Sequence, residues 1–129
     1  MRTILLILLY LVVCIISIPL LLMECIVRKI NNKAAAAFAI RIVRIVFNLT
    51  MFLSGCKKHI CGLEHIPTNR PVMFAANHRS FYDIILAYSS IAAHHVQVAF
   101  ISKIEIKKFP MIAQWMHFLN CLFMDRGDM

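Results

Sequence analysis

The residues best suited to chemistry stand together in the segment Asn77-His78-Arg79-Ser80-Phe81-Tyr82-Asp83. An imidazole with a carboxylate at one ring nitrogen has a fixed tautomer and a more basic second nitrogen. His78 and Asp83 can form such a pair only if His78 lies in a loop and Asp83 in the first turn of the following helix. On a single helix, residues five apart do not share a face. The pair would then take the proton of a hydroxyl as it attacks an acyl carbonyl. That is the acid–base logic of a serine-hydrolase triad, with the substrate's own hydroxyl as nucleophile. The same residues also spell a helix start. Ser80-Phe81-Tyr82-Asp83 is a capping box with Asp in place of Glu, and in that role Asp83 serves the helix alone.

Positioning such a pair requires an ordered frame. Val72–Ala76 (VMFAA) predicts a short buried strand directly before the block, and Ser80–Ala93 predicts a helix directly after it. Val96–Ser102 predicts a second strand. Lys107–Leu119 predicts a helix around Pro110, and Cys121–Met124 a third strand. Strands alternating with helices imply an α/β fold with a mainly parallel sheet. His78 then falls at the C-terminal end of a strand, where open α/β sheets bind ligands. The sequence ends at Asp125-Arg126-Gly127-Asp128-Met129, with no helix to cover the third strand. A parallel sheet needs both faces covered. The expectation is therefore the first part of a larger sheet domain, truncated.

The first half has another character. Of 129 residues, 61% are hydrophobic and 16% charged, and the net charge is +8. Soluble domains average roughly 45–50% apolar and about 25% charged. Basic and very apolar together suit an anionic membrane surface rather than nucleic acid. No residue from Thr3 to Met23 is charged. A helix of that length spans roughly 30 Å, the thickness of a hydrocarbon core. No small-x-small cleavage site follows it, so an uncleaved anchor, a transmembrane or deeply inserted helix over 3–27, is expected. Arg28, Lys29, Lys33, Arg41 and Arg44 follow the run, against Arg2 alone before it. The positive-inside rule places the remainder on the cytoplasmic side of the cell membrane.

The next stretch, 34–54, carries Ala34, Ala37, Arg41, Arg44 and Asn48 on one helical face. It is read as an amphipathic interfacial helix, or else as a helix packed on the protein's own core. Residues 1–55 thus form a membrane arm and 56–129 a partial catalytic domain.

The ordered blocks of the second half resemble the glycerolipid acyltransferase family, typified by 1-acyl-glycerol-3-phosphate acyltransferase. The family's first block, Asn-His-x-Ser-x-x-Asp, is matched by Asn77, His78, Ser80 and Asp83. Its second, Phe-Ile-Asp-Arg or similar, is matched by Phe123, Met124, Asp125 and Arg126. Lys103, Glu105, Phe109 and Pro110 match features between them, and Gly62 to Pro67 looks like the lead-in strand. The resemblance covers about residues 57–126. It departs at Asn120 and Ala113, where the family often has glycine. The family's third block, Glu-Gly-Thr-Arg, does not occur in the sequence.

The resemblance implies transfer of an acyl group from acyl-CoA or acyl carrier protein to the free hydroxyl of lysophosphatidic acid, in phospholipid synthesis, with no bound cofactor. His78 would be the general base and Asp83 its orienting partner. Asn77, Arg79 and Ser80 would line the substrate, and Lys103 and Arg126 would face the acceptor phosphate. The alternatives are a catalytically incomplete membrane-associated remnant, or a related enzyme with another lysolipid acceptor.

Other signals are set aside. Cys56, His59, Cys61 and His65 have a spacing that matches no common zinc finger, so no metal is expected. Five cysteines are an odd number and do not make a disulfide framework. Asn48-Leu49-Thr50 is a formal glycosylation sequon inside an expected helix.

Overall fold

The computed structural model describes residues 2–67, 69–77, 79–91, 98–125 and 127. The chain opens with helix α1, Arg2–Ile30, and helix α2, Asn32–Ser54. Both are long and apolar enough to cross a membrane by length and composition. Only Asn31 separates them. Its extended backbone (φ −152°) ends α1, and its side chain accepts from the amides of Lys33 (3.0 Å) and Ala34 (3.1 Å). This is an N-cap that satisfies two of the orphan donors of α2.

The two helices run back along each other as a hairpin. At the open end the Arg2 guanidinium donates to the Ser54 carbonyl at 3.3 Å. A cation there suits the negative end of α2. Gly55 closes α2 in the left-handed region (φ 72°), and a Cβ on it would stand 2.7 Å from the Arg2 guanidinium. Two separate constraints therefore select glycine at this position.

α2 buries Ala35, Ala39 and Val43 and leaves Ala34, Ala37, Arg41 and Asn48 of its stripe exposed, with Arg44 of the same stripe half-buried. The buried face enters the core, where Ala39 and Val43 meet Tyr88, Val98, Trp115, Phe118, Leu119 and Cys121. Ile45, Leu49 and Phe52 remain outward and apolar. Asn48 and Thr50, the ends of the formal sequon, sit within the helix. Asn48 accepts from Lys58 at 2.7 Å, and Thr50 donates to the Val46 carbonyl at 2.8 Å.

Beyond the hairpin come a single turn at Leu63–His65, helix α3 (Phe81–Ile91), strand β1 (Ile101–Lys103), a 3-10 turn at Ile104–Lys108, helix α4 (Ile112–Phe118) and strand β2 (Leu122–Met124). β1 and β2 pair in parallel, Ile101 with Leu122 through Lys103 with Met124. The described chain is mostly helical, with one small parallel sheet. That is consistent with part of an α/β fold.

Three expectations are modified. Val72–Ala76 lies outside the sheet and is exposed, Met73 at 87%. An apolar run becomes a strand only through a neighbour's ladder, and none of the described segments supplies one. The second strand, expected at 96–102, is ordered as β1 only at Ile101–Lys103, and residues 92–97 lie outside the described set. The helix expected at 107–119 is divided. Pro110 has no amide to donate and holds Phe109 extended (φ −88°, ψ 108°). Met111 then takes φ 65°, ψ −51°, and the Ile112 amide reaches the Pro110 carbonyl at 2.8 Å. This is a three-residue γ-turn, a strained conformation for a side-chain-bearing residue. α4 starts only after it.

Asn120 also has a positive φ, 59°. Its place is the left-handed turn between α4 and β2, where asparagine is the best-tolerated residue after glycine. The departure from the glycine pattern at Asn120 therefore preserves the backbone. Ala113 is an ordinary residue of α4, and no glycine conformation is required there.

Candidate functional site

α3 begins as the capping box predicts. The Asp83 carboxylate accepts through Oδ2 from the amides of Arg79 and Ser80, both at 2.8 Å. Ser80 Oγ accepts from the Tyr82 amide at 3.3 Å, and the Asp83 amide donates to the Ser80 carbonyl at 3.0 Å. Ser80 and Asp83 thus satisfy each other's end of the helix start. A carboxylate in the first turn is further favoured by the helix dipole.

The geometry also limits where Asp83 can point. Its Oδ2 is tied to the amides of Arg79 and Ser80, the two residues that follow position 78 in the sequence. Capping and orienting a base are compatible, because a carboxylate has two oxygens and about four acceptor sites. His78 itself lies outside the described residues. Asn77, Arg79 and Ser80 have exposed side chains, open to a ligand.

Lys103 ends β1, exposed, with Met124 of β2 as its neighbour in register. Past Met124 the Asp125 carboxylate accepts from the Gly127 amide at 2.9 Å. Arg126 lies outside the described residues. Lys103 and Met124 occupy the C-terminal ends of adjacent parallel strands, the edge at which open α/β sheets take ligands.

The cysteine–histidine cluster does not converge. His59 Nδ1 contacts Cys61 Sγ at 3.7 Å, and His65 faces Glu64 at 3.7 Å. Among the described residues no three His, Cys, Asp or Glu side chains form a group that could hold a metal. All five cysteines are free thiols. Burial pushes the Cys121 thiol up, partly offset by the Phe100 amide donating to it at 3.4 Å. Lys58 bridges Asn48 and Ser89, both at 2.7 Å, and partial burial lowers its pKa.

Two contacts between the hairpin and α4 were not singled out from the sequence. Trp115 Nε1 donates to Ser17 Oγ at 3.1 Å, in the interior. Arg28 donates to Glu24 at 3.0 Å and to the Phe118 carbonyl at 2.9 Å, with its guanidinium 4.7 Å over the Phe118 ring. Glu24 and Arg28 stand four apart, the spacing of an ion pair on one helix face. That spacing signals the pair, but not the partner 90 residues away.

Compared with known proteins, the chain matches the model of the acyltransferase family over residues 57–129. No curated protein and no solved structure matches it. The matched region exceeds half of the sequence and contains the Asn77–Asp83 block, the α3 start that holds Asp83, and both paired strands. The chain belongs to the acyltransferase family.

Proposed function

We propose that the chain carries the base-bearing part of a membrane-bound O-acyltransferase. It moves an acyl group from acyl-CoA or acyl carrier protein to the free hydroxyl of lysophosphatidic acid. The observation that supports the reading is the tethering of Asp83 to the amides of Arg79 and Ser80, which holds a carboxylate at the start of α3. His78 takes the proton as the acceptor oxygen attacks the thioester carbonyl. The tetrahedral intermediate then expels the thiolate, which recovers that proton from His78, leaving an ester and a free thiol. Asp83 steadies the imidazolium between the two transfers. Lys103 and Arg126 take the acceptor phosphate by charge-assisted hydrogen bonds. Asn77, Arg79 and Ser80 line the acceptor. The only co-substrate required is the acyl thioester.

The membrane placement is part of the same proposal. One side of the hairpin is occupied by α3 and α4, while α1 presents Ile4, Leu8, Leu11, Ile15, Leu22 and Ile26 outward, each more than half exposed. Contiguous apolar surface on this scale supports insertion into lipid. The basic residues after Met23 support a cytoplasmic site.

The test is acyl transfer by the 129-residue chain in detergent or liposomes, with lysophosphatidic acid and an acyl thioester. Loss of a general base lowers turnover by about 10²–10⁴-fold, so His78→Ala is expected to abolish measurable transfer while sedimentation with liposomes is retained. Equal turnover in the variant overturns the assignment. A well-folded chain without turnover favours the remnant, and turnover with another lysolipid in preference favours the related enzyme.

A further inference from the structure

Outside the Asn77–Asp83 block the structure holds an open concavity of about 410 Å³ between α4 and β2. Its described lining is Lys107, Ala113, Gln114, His117, Phe118 and Phe123. The wall is divided by chemistry. Phe118, Phe123 and Ala113 give an apolar floor, and Lys107, His117 and Gln114 give donors, with exposed side chains at the rim. Lys107 lies with its ammonium 5.2 Å over the Phe123 ring, so the cation is held at the mouth by a cation–π contact. No carboxylate contributes to the described lining.

The field at this place would ordinarily be set by the C-terminal end of α4, which is negative and repels anions. Here the carbonyls of that end are hydrogen-bonded. The carbonyls of Trp115, Met116 and His117 accept from the amides of Leu119, Cys121 and Asn120, and the Phe118 carbonyl accepts from Arg28. The Arg28 guanidinium thus stands behind the Phe118 wall while Lys107 stands in front. The Arg28 charge is paired with Glu24, so Lys107 is the cation that faces the concavity, in a chain of net charge +8.

We propose that this concavity seats the anionic phosphodiester headgroup of a bilayer glycerophospholipid, at a site separate from the reacting lipids. The volume suits a headgroup with its first ester carbons rather than a whole lipid. Lys107 and His117 meet the phosphate, Gln114 the glycerol oxygens, and the phenyl floor the ester carbons. A bilayer lipid is favoured over a free anion because half of the lining is apolar. It is further favoured because Arg28, which caps the Phe118 wall, belongs to the same α1 whose opposite surface is apolar and exposed. The inference does not depend on the acyl-transfer reading.

Trp115 is the only tryptophan, within α4 between Gln114 and the Phe118 wall, with its ring 6.3 Å from that of Phe118. Its fluorescence therefore reads occupancy. The full chain in neutral detergent is titrated with dihexanoyl phosphatidylglycerol, dihexanoyl phosphatidylcholine and inorganic phosphate. A saturable change is expected with phosphatidylglycerol alone. Removing a charge-assisted contact weakens binding about tenfold, so Lys107→Gln is expected to shift the midpoint by that factor, with Lys107→Arg restoring it. Lys57→Gln removes the same charge outside the concavity and leaves the midpoint in place. His78→Ala also leaves it in place, which separates this result from the fate of the catalytic assignment. Equal weakening by Lys57→Gln would mean diffuse charge attraction and overturns the site. So does an equal response to phosphatidylcholine, which would mean apolar partition, or to inorganic phosphate, which would mean a bare anion site.

Discussion

Replacing Arg28 with methionine tests how the hairpin is held. Arg28 makes two polar contacts, with Glu24 Oε1 at 3.0 Å and the Phe118 carbonyl at 2.9 Å, and stacks on the Phe118 ring. Glu24 has no exposed surface, and the Arg28 side chain is 28% exposed. Removing one partner of a buried pair costs about 3–5 kcal/mol, because the other charge is left unpaired in a low dielectric. Water reaching Arg28 reduces this, and about 3 kcal/mol is expected. For a chain of this size that is a fall of roughly 10 °C in the unfolding midpoint. The pair is imperfect: Glu24 Oε2 and Arg28 Nε are buried with no partner among the described residues. Replacing both ends by apolar residues removes those two defects and orphans only the Phe118 carbonyl, at about 1 kcal/mol.

The double variant Glu24→Leu/Arg28→Met is therefore expected within about 1 kcal/mol of the parent, far above Arg28→Met alone. Thermal unfolding in neutral detergent, followed by Trp115 fluorescence and circular dichroism, measures all three chains. An Arg28→Met variant within about 0.5 kcal/mol of the parent, or a double variant no better than the single one, refutes the buried-charge argument.

Other expectations follow from single sites. Tyr88 is fully buried, and its hydroxyl has no partner among the described residues. Tyr88→Phe is expected to stabilise by about 1 kcal/mol in chemical denaturation, and a loss of stability would show a missed hydrogen bond. Burial pushes the Tyr88 and Cys121 pKa values up, so in alkali the unfolded chain releases protons that the folded chain keeps. Their contribution to stability is complete below the ordinary thiol and phenol values and is lost as pH rises above them. Tyr88→Phe should flatten the decline above about pH 10, which a pH series of unfolding midpoints reads. Met111→Gly should gain about 1 kcal/mol by relieving the γ-turn strain, and unchanged stability would refute that strain. Asp83→Asn keeps an acceptor for the Arg79 and Ser80 amides but loses the charge. It should retain most of the α3 helicity seen by circular dichroism while acyl transfer falls by about tenfold or more, and full turnover would confine Asp83 to capping.

Local devices were legible in the sequence because their causes lie within a few residues. The Ser80–Asp83 box and the exposed Ala34, Ala37, Arg41 and Asn48 follow from short-range spacing, although Arg44 of the same stripe is half-buried. Parallel pairing was legible from the alternation of elements, and β1 and β2 show it. The division of the 107–119 helix was underestimated, although Pro110 stood in plain sight. Trp115 and Phe118 both follow Pro110, so their spacing supports helix only beyond it, and the Met111 backbone shows where the break falls. Val72–Ala76 illustrates the opposite error, since an apolar run cannot supply its own ladder partner.

What no spacing announces is the joint between the two halves. Composition changes at Gly55, yet packing runs across it. Ala39 and Val43 share a core with Tyr88, Trp115 and Phe118, and Ser17 of the most apolar helix is the hydrogen-bond partner of Trp115, 98 residues away. α4 is the element between. One side of it meets the hairpin through Trp115 and Phe118, and its C-terminal turn leads through Asn120 directly into β2, beside Lys103 at the strand ends. A displacement of α1 therefore cannot leave α4 untouched without breaking the Trp115–Ser17 bond and the Arg28 contact together. Any force that lipid exerts on the apolar face of α1 thus reaches the strand edge through packed side chains rather than through a flexible tether.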